Sequence, residues 1–132
     1  MENFTPAESF PVGGHFTADE FQCKDGTDAP MGIDPLLIQG LEQIRILAGN
    51  KPVRILSGYR SPSYNAELRK KSRNVAKFSM HLTGKAADIQ INGLTPSEVK
   101  ALAEKVPQFD NGGIGLYPTW VHVDVRGNKS RW

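Results

Sequence analysis

Two histidines and one aspartate in this sequence have the residue types and the spacing of a metal site. Asp88 follows His81 by seven positions, and His122 lies further along the chain. Two imidazole nitrogens and one carboxylate oxygen, with a fourth position left to water, are the ligands of a catalytic zinc ion. The same ligands suit non-haem iron, although such sites usually place the carboxylate two residues after the first histidine. From the spacing alone, the alternative is a tight turn in an ordinary soluble domain.

The residues between His81 and Asp88 are small enough to leave room for an ion. Gly84 allows the chain to reverse direction, and Ala86 and Ala87 keep bulky side chains away. The charge of Asp88 would offset the desolvation of a divalent cation, while neutral histidines add affinity without adding charge. The stretch therefore predicts a turn that brings two ligands together.

The segment SMHLTGKAADI resembles the S-x-H-x-x-G-x-A-x-D motif of the zinc D-alanyl-D-alanine peptidases. ILSGYRSP is similar to the S-G-Y-R segment of that family, and WVHVDVR to the strand that carries its third ligand. HFTADEFQCKDG and VRGNKSRW further resemble small cell-wall peptidases of bacteria and phages, so the resemblance covers nearly the whole chain. It implies a hedgehog/D,D-peptidase fold. It also implies that the protein hydrolyses an amide in peptidoglycan stem or cross-link peptides, as a carboxypeptidase or an endopeptidase. A lytic enzyme of the phage endolysin type is one form that this activity takes.

The resemblance implies a role for each of five residues. His81, Asp88 and His122 would bind Zn²⁺, which lowers the pKa of its water to about 7 and polarises the scissile carbonyl. Arg60 would pair with a carboxylate of the substrate, because its planar guanidinium suits that role. Ser79 would form a hydrogen bond with the substrate near the scissile bond. The residue types alone leave a surface arginine and a turn or cap serine as alternatives for these last two.

The general base is the weakest part of the resemblance. Many relatives place an acidic base three residues before the last zinc histidine, where this chain has Thr119. Asp124 is the nearest carboxylate, and strand alternation puts it on the same face as His122. We expect Asp124 to be the catalytic base or to assist one, with orientation of a zinc ligand or a salt bridge with Arg126 as alternatives. Thr119 also supports a rival function, a catalytically silent zinc-containing module that binds peptidoglycan.

Periodicity and capping residues predict the elements that must position these side chains. Asp34, Pro35 and Gly49 delimit the clearest helix, and Thr95 with Glu98 forms a capping box at the start of another. The last two strands are too close in sequence for a parallel crossover, which predicts an α+β fold with a small, mostly antiparallel sheet flanked by helices. The predicted elements are a short helix at 17–23, helices over 34–49, 63–73 and 94–107, and strands at 53–56, 86–91, 112–118 and 120–126.

Alternation in the last strand assigns its two faces. Val121, Val123 and Val125 are expected to face the core, and the intervening polar residues to face the opposite side. Three aromatic residues are expected to line the cleft or its floor, with packing in the core as the alternative; they are Tyr59, Tyr117 and Trp120.

Composition and charge limit the remaining possibilities. The length of 132 residues predicts one domain over 1–132, with a loop-rich segment at 1–32. The single cysteine excludes an internal disulfide. The net charge is only +2, and the basic cluster lacks interleaved aromatic residues, so we expect a solvated helix face and no nucleic-acid partner. This cluster comprises Arg69, Lys70, Lys71 and Arg73.

Targeting sequences give little guidance on location. The amino terminus lacks the basic and apolar regions of a secretory signal, and no segment is long and apolar enough for a transmembrane helix. The resemblance implies action on the bacterial cell wall, in the periplasm or outside the cell. Release from the cytoplasm during phage lysis is one route to that substrate. We expect a monomer.

Overall fold

A five-stranded sheet organises the chain in the computed structural model, which describes residues 15–30, 32–72, 75 and 79–132. The strand order is β1-β2-β4-β3-β5. Every neighbouring pair is antiparallel except β3 and β5, which are parallel. The predicted α+β fold with a mostly antiparallel sheet is therefore confirmed. The strands are β1 (Val53–Ser57), β2 (Ala86–Ile91), β3 (Gly113–Leu116), β4 (Val121–Asp124) and β5 (Ser130–Arg131).

Four α-helices begin with a proline in the first turn, where the missing N–H costs nothing. Three have side-chain caps: Asp34 accepts from a backbone N–H at 2.9 Å, and Ser61 and Thr95 each accept one at 3.2 Å. The helices are α1 (Pro35–Leu47), α2 (Pro62–Lys71), α3 (Pro96–Ala103) and α4 (Pro107–Asp110), with 3-10 helices at Ala18–Phe21 and Met80–Thr83.

Three elements differ from the sequence prediction. The third helix ends at Ala103, and Pro107 begins α4, because a residue before proline avoids the helical region and Val106 is extended. The 3-10 helix Met80–Thr83 and the two-residue strand β5 were not predicted, since both are too short to show periodicity. Arg73 and residues 1–14 of the predicted loop-rich segment lie outside the described residues.

One face of the sheet carries residues of the buried core. Val121, Val123 and Val125 belong to the buried core, as predicted, together with residues of α1 and α3. No helix within the described ranges combines the length and the apolar character needed to cross a bilayer. The largest fully buried core side chains include Phe16, Phe21, Ile33, Leu37, Leu41, Ile44, Ile89, Val99, Val106, Phe109 and Ile114.

A bulge in β1 changes which of its residues face the polar side of the sheet. Arg54 pairs with Gln90 and Ser57 pairs with Asp88, with a register shift between Ile55 and Ser57. Residues directly opposite in an antiparallel pair share a face, and Asp88 and Gln90 are on one face of β2. Arg54 and Ser57 therefore face the same side, although they are three positions apart.

Candidate metal centre

The sheet register and one turn bring the three predicted ligands together. Asp88 on β2 is directly opposite His122 on β4. His81 lies in the 3-10 helix that precedes β2, and Gly84 ends this helix with a φ of 70°. A β-carbon at Gly84 would lie 2.7 Å from the carbonyl oxygen of Gly32, so this turn requires glycine for both its conformation and its packing.

Three candidate ligand atoms converge on one point in a buried pocket. The exposed fractions of His81, Asp88 and His122 are 2%, 7% and 6%. Oδ1 of Asp88 lies 3.2 Å from Nε2 of His81 and 3.1 Å from Nδ1 of His122. Ligand atoms around a tetrahedral zinc ion with bonds of about 2.1 Å lie about 3.4 Å apart, close to these distances. The spacing therefore fits a zinc ion.

The proton on His81 is fixed away from Asp88. Nδ1 of His81 lies 2.7 Å from the carbonyl oxygen of Gly58, which can only accept, so Nδ1 carries the proton. Burial lowers the pKa of His81 and favours its neutral form. Nε2 is then an acceptor that faces a carboxylate oxygen at 3.2 Å. Two acceptors at this distance repel each other unless a cation lies between them, which favours a metal ion here.

His122 is held in the complementary way, with Nε2 directed away from the centre. Nε2 lies 2.7 Å from Oδ2 of Asp124. Burial raises the pKa of Asp124, but hydrogen bonds with His122 and Arg126 outweigh it and hold that pKa well below its usual range. The ionised Asp124 accepts the Nε2 proton, so Nδ1 is available to a metal. Without a metal, hydrogen bonds with Asp124 and Asp88 overcome the effect of burial and raise the pKa of His122.

Asp124 contacts the Nε2 edge of the His122 imidazole and has no exposed surface. Its carboxylate accepts from Nε and Nη2 of Arg126 at 2.9 and 2.7 Å, and from the backbone N–H of Gly113 at 2.8 Å. A β-carbon at Gly113 would collide with this carboxylate. Two of the three roles left open by the sequence, ligand orientation and a salt bridge with Arg126, thus correspond to observed contacts.

The two predicted substrate-binding residues line a cleft of about 370 Å³ above the centre, and both also contact metal-ligand residues. Nη2 of Arg60 lies 3.2 Å from Oδ2 of Asp88, and its Nε donates to the hydroxyl of Ser57 at 3.3 Å. Oγ of Ser79 accepts from the backbone N–H of His81 at 3.1 Å. Arg60 therefore holds one oxygen of Asp88 and leaves the other facing the histidines.

The backbone around Arg60 is held by two contacts with the amino-terminal part of the structure and one with His81. Consecutive N–H groups at 59–61 donate to the carbonyl oxygen of Phe21 at 2.9 Å, the carbonyl oxygen of His81 at 3.0 Å and the thiol of Cys23 at 3.3 Å. The position of Arg60 relative to the candidate ligands is thus set by three hydrogen bonds.

Aromatic side chains form the opposite wall of the cleft. Tyr117 and Trp120 line it, as expected, and their rings stack with centroids 4.7 Å apart. Tyr59 instead packs in the buried core, which was the alternative for this residue.

Sequence reasoning missed Trp132 as part of this wall. Its ring centroid lies 5.0 Å from that of His122, and its indole N–H donates to the hydroxyl of Tyr117 at 2.8 Å. The ring occupies the space where Gly115 lacks a side chain. The sequence signal was the alternation of Gly113 and Gly115 in β3, which indicates that other side chains cross this strand.

Comparison with known proteins places the chain beside cell-wall enzymes. The family model described as peptidoglycan L,D-endopeptidase MepK matches residues 9–132. A probable peptidoglycan L,D-endopeptidase MepK from Haemophilus influenzae is 44% identical over 97 residues, or 70% of this chain and 50% of that protein. The peptidoglycan L,D-endopeptidase MepK of Escherichia coli is 42% identical over 103 residues, or 76% of this chain and 54% of that protein. The chain spans about half the length of the curated relatives it matches.

Proposed function

The chain belongs to the family of the peptidoglycan L,D-endopeptidase MepK, and from that premise we propose that it is a zinc-dependent peptidase of peptidoglycan. The main support is the convergence of His81 Nε2, His122 Nδ1 and Asp88 Oδ1, with the other nitrogen of each ring fixed as a donor. Three lone pairs that face one buried point need a cation. Two histidines and one carboxylate are a ligand set of catalytic zinc.

Each neighbouring residue then has a defined task. When bound, zinc supplies Lewis acidity toward the scissile carbonyl and lowers the pKa of a water molecule to about 7. Arg60 holds Asp88 through Nη2 and Ser57 through Nε, and it offers its other N–H groups to a carboxylate of the substrate. Because Oγ of Ser79 already accepts from His81, its O–H is available to donate to the substrate.

We propose that Asp124 orients His122 and does not act as the base. Its carboxylate is wholly buried and meets the ring edge that points away from Asp88. Thr119, three residues before His122, is exposed, and its carbonyl oxygen accepts from Gln90. In this proposal a group other than Asp124 and Thr119 moves the proton.

The names of the relatives support a proposal for the bond and the location. They are named L,D-endopeptidases, and we propose this bond type for the chain, with a carboxypeptidase as the alternative. We also propose that the protein acts as a monomer on the bacterial cell wall.

The decisive experiment is mass spectrometry of purified peptidoglycan digested by the zinc-loaded protein. We expect new amine and carboxyl termini at L,D bonds, loss of cleavage with a chelator, and recovery when zinc is restored. His122→Ala should be inactive, and His15→Ala should be fully active because that exposed histidine contacts Glu42 away from the cleft. Zinc binding and peptidoglycan binding without cleavage would instead establish the catalytically silent module.

A further inference from the structure

A second hollow, the Arg54 groove, lies on the same sheet face as the metal centre. Its volume is about 540 Å³, and Arg54, Gln90, Asn92 and Thr119 line it. None of these residues is a candidate metal ligand or has a task in the cleft. The groove is therefore a separate site that needs its own explanation.

The sheet register fixes the position of this groove relative to the centre. Gln90 is two residues beyond Asp88 on β2, which places it about 7 Å along the same face. Arg54 is directly opposite Gln90, and the β1 bulge keeps it on that face. Thr119 lines the groove while the next residue, Trp120, lines the cleft, so a single loop separates the two hollows.

This loop is tied to the floor of the groove. The side-chain N–H of Gln90 donates to the carbonyl oxygen of Thr119 at 2.8 Å. The same strand that carries Asp88 thus also holds the boundary between groove and cleft. A peptide that leaves the cleft across this loop would enter the groove.

Arg54 differs in its pairing from the two arginines of the cleft. Arg60 pairs with Asp88, and Arg126 pairs with Asp124. Arg54 is exposed and has neither an ion pair nor a side-chain hydrogen bond with any residue in the described ranges. An arginine with free N–H groups beside the side-chain amides of Gln90 and Asn92 is suited to a carboxylate, which its planar fork can bind with two hydrogen bonds.

We propose that the Arg54 groove is a substrate subsite that binds a free carboxylate of the peptide chain. This inference rests on the proposed peptidase function. An extended peptide advances about 3.3–3.6 Å per residue, so the bound carboxylate lies two or three residues from the scissile bond. Arg54 thereby selects peptides that carry a negative charge at this distance.

Synthetic peptides with a carboxylate or a carboxamide at the second or third residue, on either side of the scissile bond, test the subsite. For the zinc-loaded protein, Arg54→Ala should raise KM about fivefold for the matching carboxylate peptide, as expected for one exposed ion pair, with kcat unchanged. The carboxamide peptide should have the same KM with wild type and Arg54→Ala. For the carboxylate peptide, Arg54→Lys should raise KM less than Arg54→Ala does. Arg69→Ala removes an exposed arginine outside both hollows and should leave KM unchanged.

Equal KM values for wild type and Arg54→Ala across all carboxylate peptides would overturn the subsite. A non-cleavable analogue, with a methyleneamine in place of the scissile amide, separates this result from a failure of the proposed function. Calorimetry with the zinc-loaded protein should show that Arg54→Ala weakens its binding about fivefold. Such a loss in a protein that cleaves nothing would support the subsite and contradict the peptidase activity. Unchanged affinity would contradict the subsite alone.

Discussion

Asp124→Asn separates the orientation of a zinc ligand from general-base catalysis. The substitution keeps the shape of a side chain that has no exposed surface, but it removes the charge that faces Arg126. The new amide presents N–H groups to a pocket whose other members, His122, Arg126 and the backbone of Gly113, are all donors. At least one donor therefore loses its acceptor.

The structure sets the size of two effects. Breaking a buried ion pair costs 3–5 kcal/mol, and because Arg126 is partly exposed we expect the free energy of unfolding to fall by about 3 kcal/mol. The loss of a carboxylate that holds a metal-ligating histidine lowers metal affinity by about 10–100-fold. With zinc saturating, kcat should fall by less than about tenfold, because zinc then occupies the site in spite of its lower affinity.

Three measurements on one preparation check this expectation. Competition with a chromogenic chelator gives zinc affinity, urea unfolding of the metal-free protein gives stability, and peptide cleavage at saturating zinc gives kcat. Asp110→Asn is the matched control, since it makes the same change at an exposed carboxylate that forms an ion pair with Arg131. Unchanged zinc affinity with a kcat loss of about 10²–10⁴-fold, the range of general-base catalysis, would refute the orienting role and make Asp124 the base.

Three further predictions concern the turn, the wall and protonation. Gly84→Ala should destabilise the fold by at least about 1 kcal/mol and weaken zinc binding, because φ is positive there; unchanged urea unfolding would contradict this. Gly115→Ala should displace the Trp132 ring, alter tryptophan fluorescence and cost about 1–3 kcal/mol, whereas an unaltered spectrum would show that the ring has room. The pKa of His122 is raised by folding, so its stabilisation of the metal-free protein is present below about pH 6.5 and lost as pH rises through the folded pKa. Tm without metal should therefore fall as pH rises above 6.5, and zinc should abolish that fall; a flat profile without metal would contradict the assignment.

Local sequence was enough to predict the turn and the strands that carry the candidate ligands. Gly84 and the alternation around Asp88 and His122 are properties of short segments, and the structure brings these residues together. Side-chain contacts between distant segments were beyond such reasoning. Alternation places Asp124 on the face of His122, but only the rotation of the imidazole decides which of its nitrogens meets the carboxylate.

Two other features depend on tertiary packing. The pairing of Arg60 with Asp88 requires the β1–β2 register, whereas the family resemblance implied only a substrate carboxylate as the partner of Arg60. Trp132 reaches the cleft because β5 aligns with β3 and Gly115 leaves space for the ring. A two-residue strand has no periodicity that a sequence could reveal.

The bulge in β1 interrupts the alternation of side chains between the two faces of the sheet. It thereby divides the strand into two segments that can vary separately. Ser57, after the bulge, contacts Arg60 beside the centre, and Arg54, before the bulge, lines the groove. For the proposed subsite, this means that a change at position 54 can alter substrate preference without moving Asp88. Deleting Leu56 would place Arg54 and Ser57 two positions apart, so a regular strand would keep both on this face without a bulge.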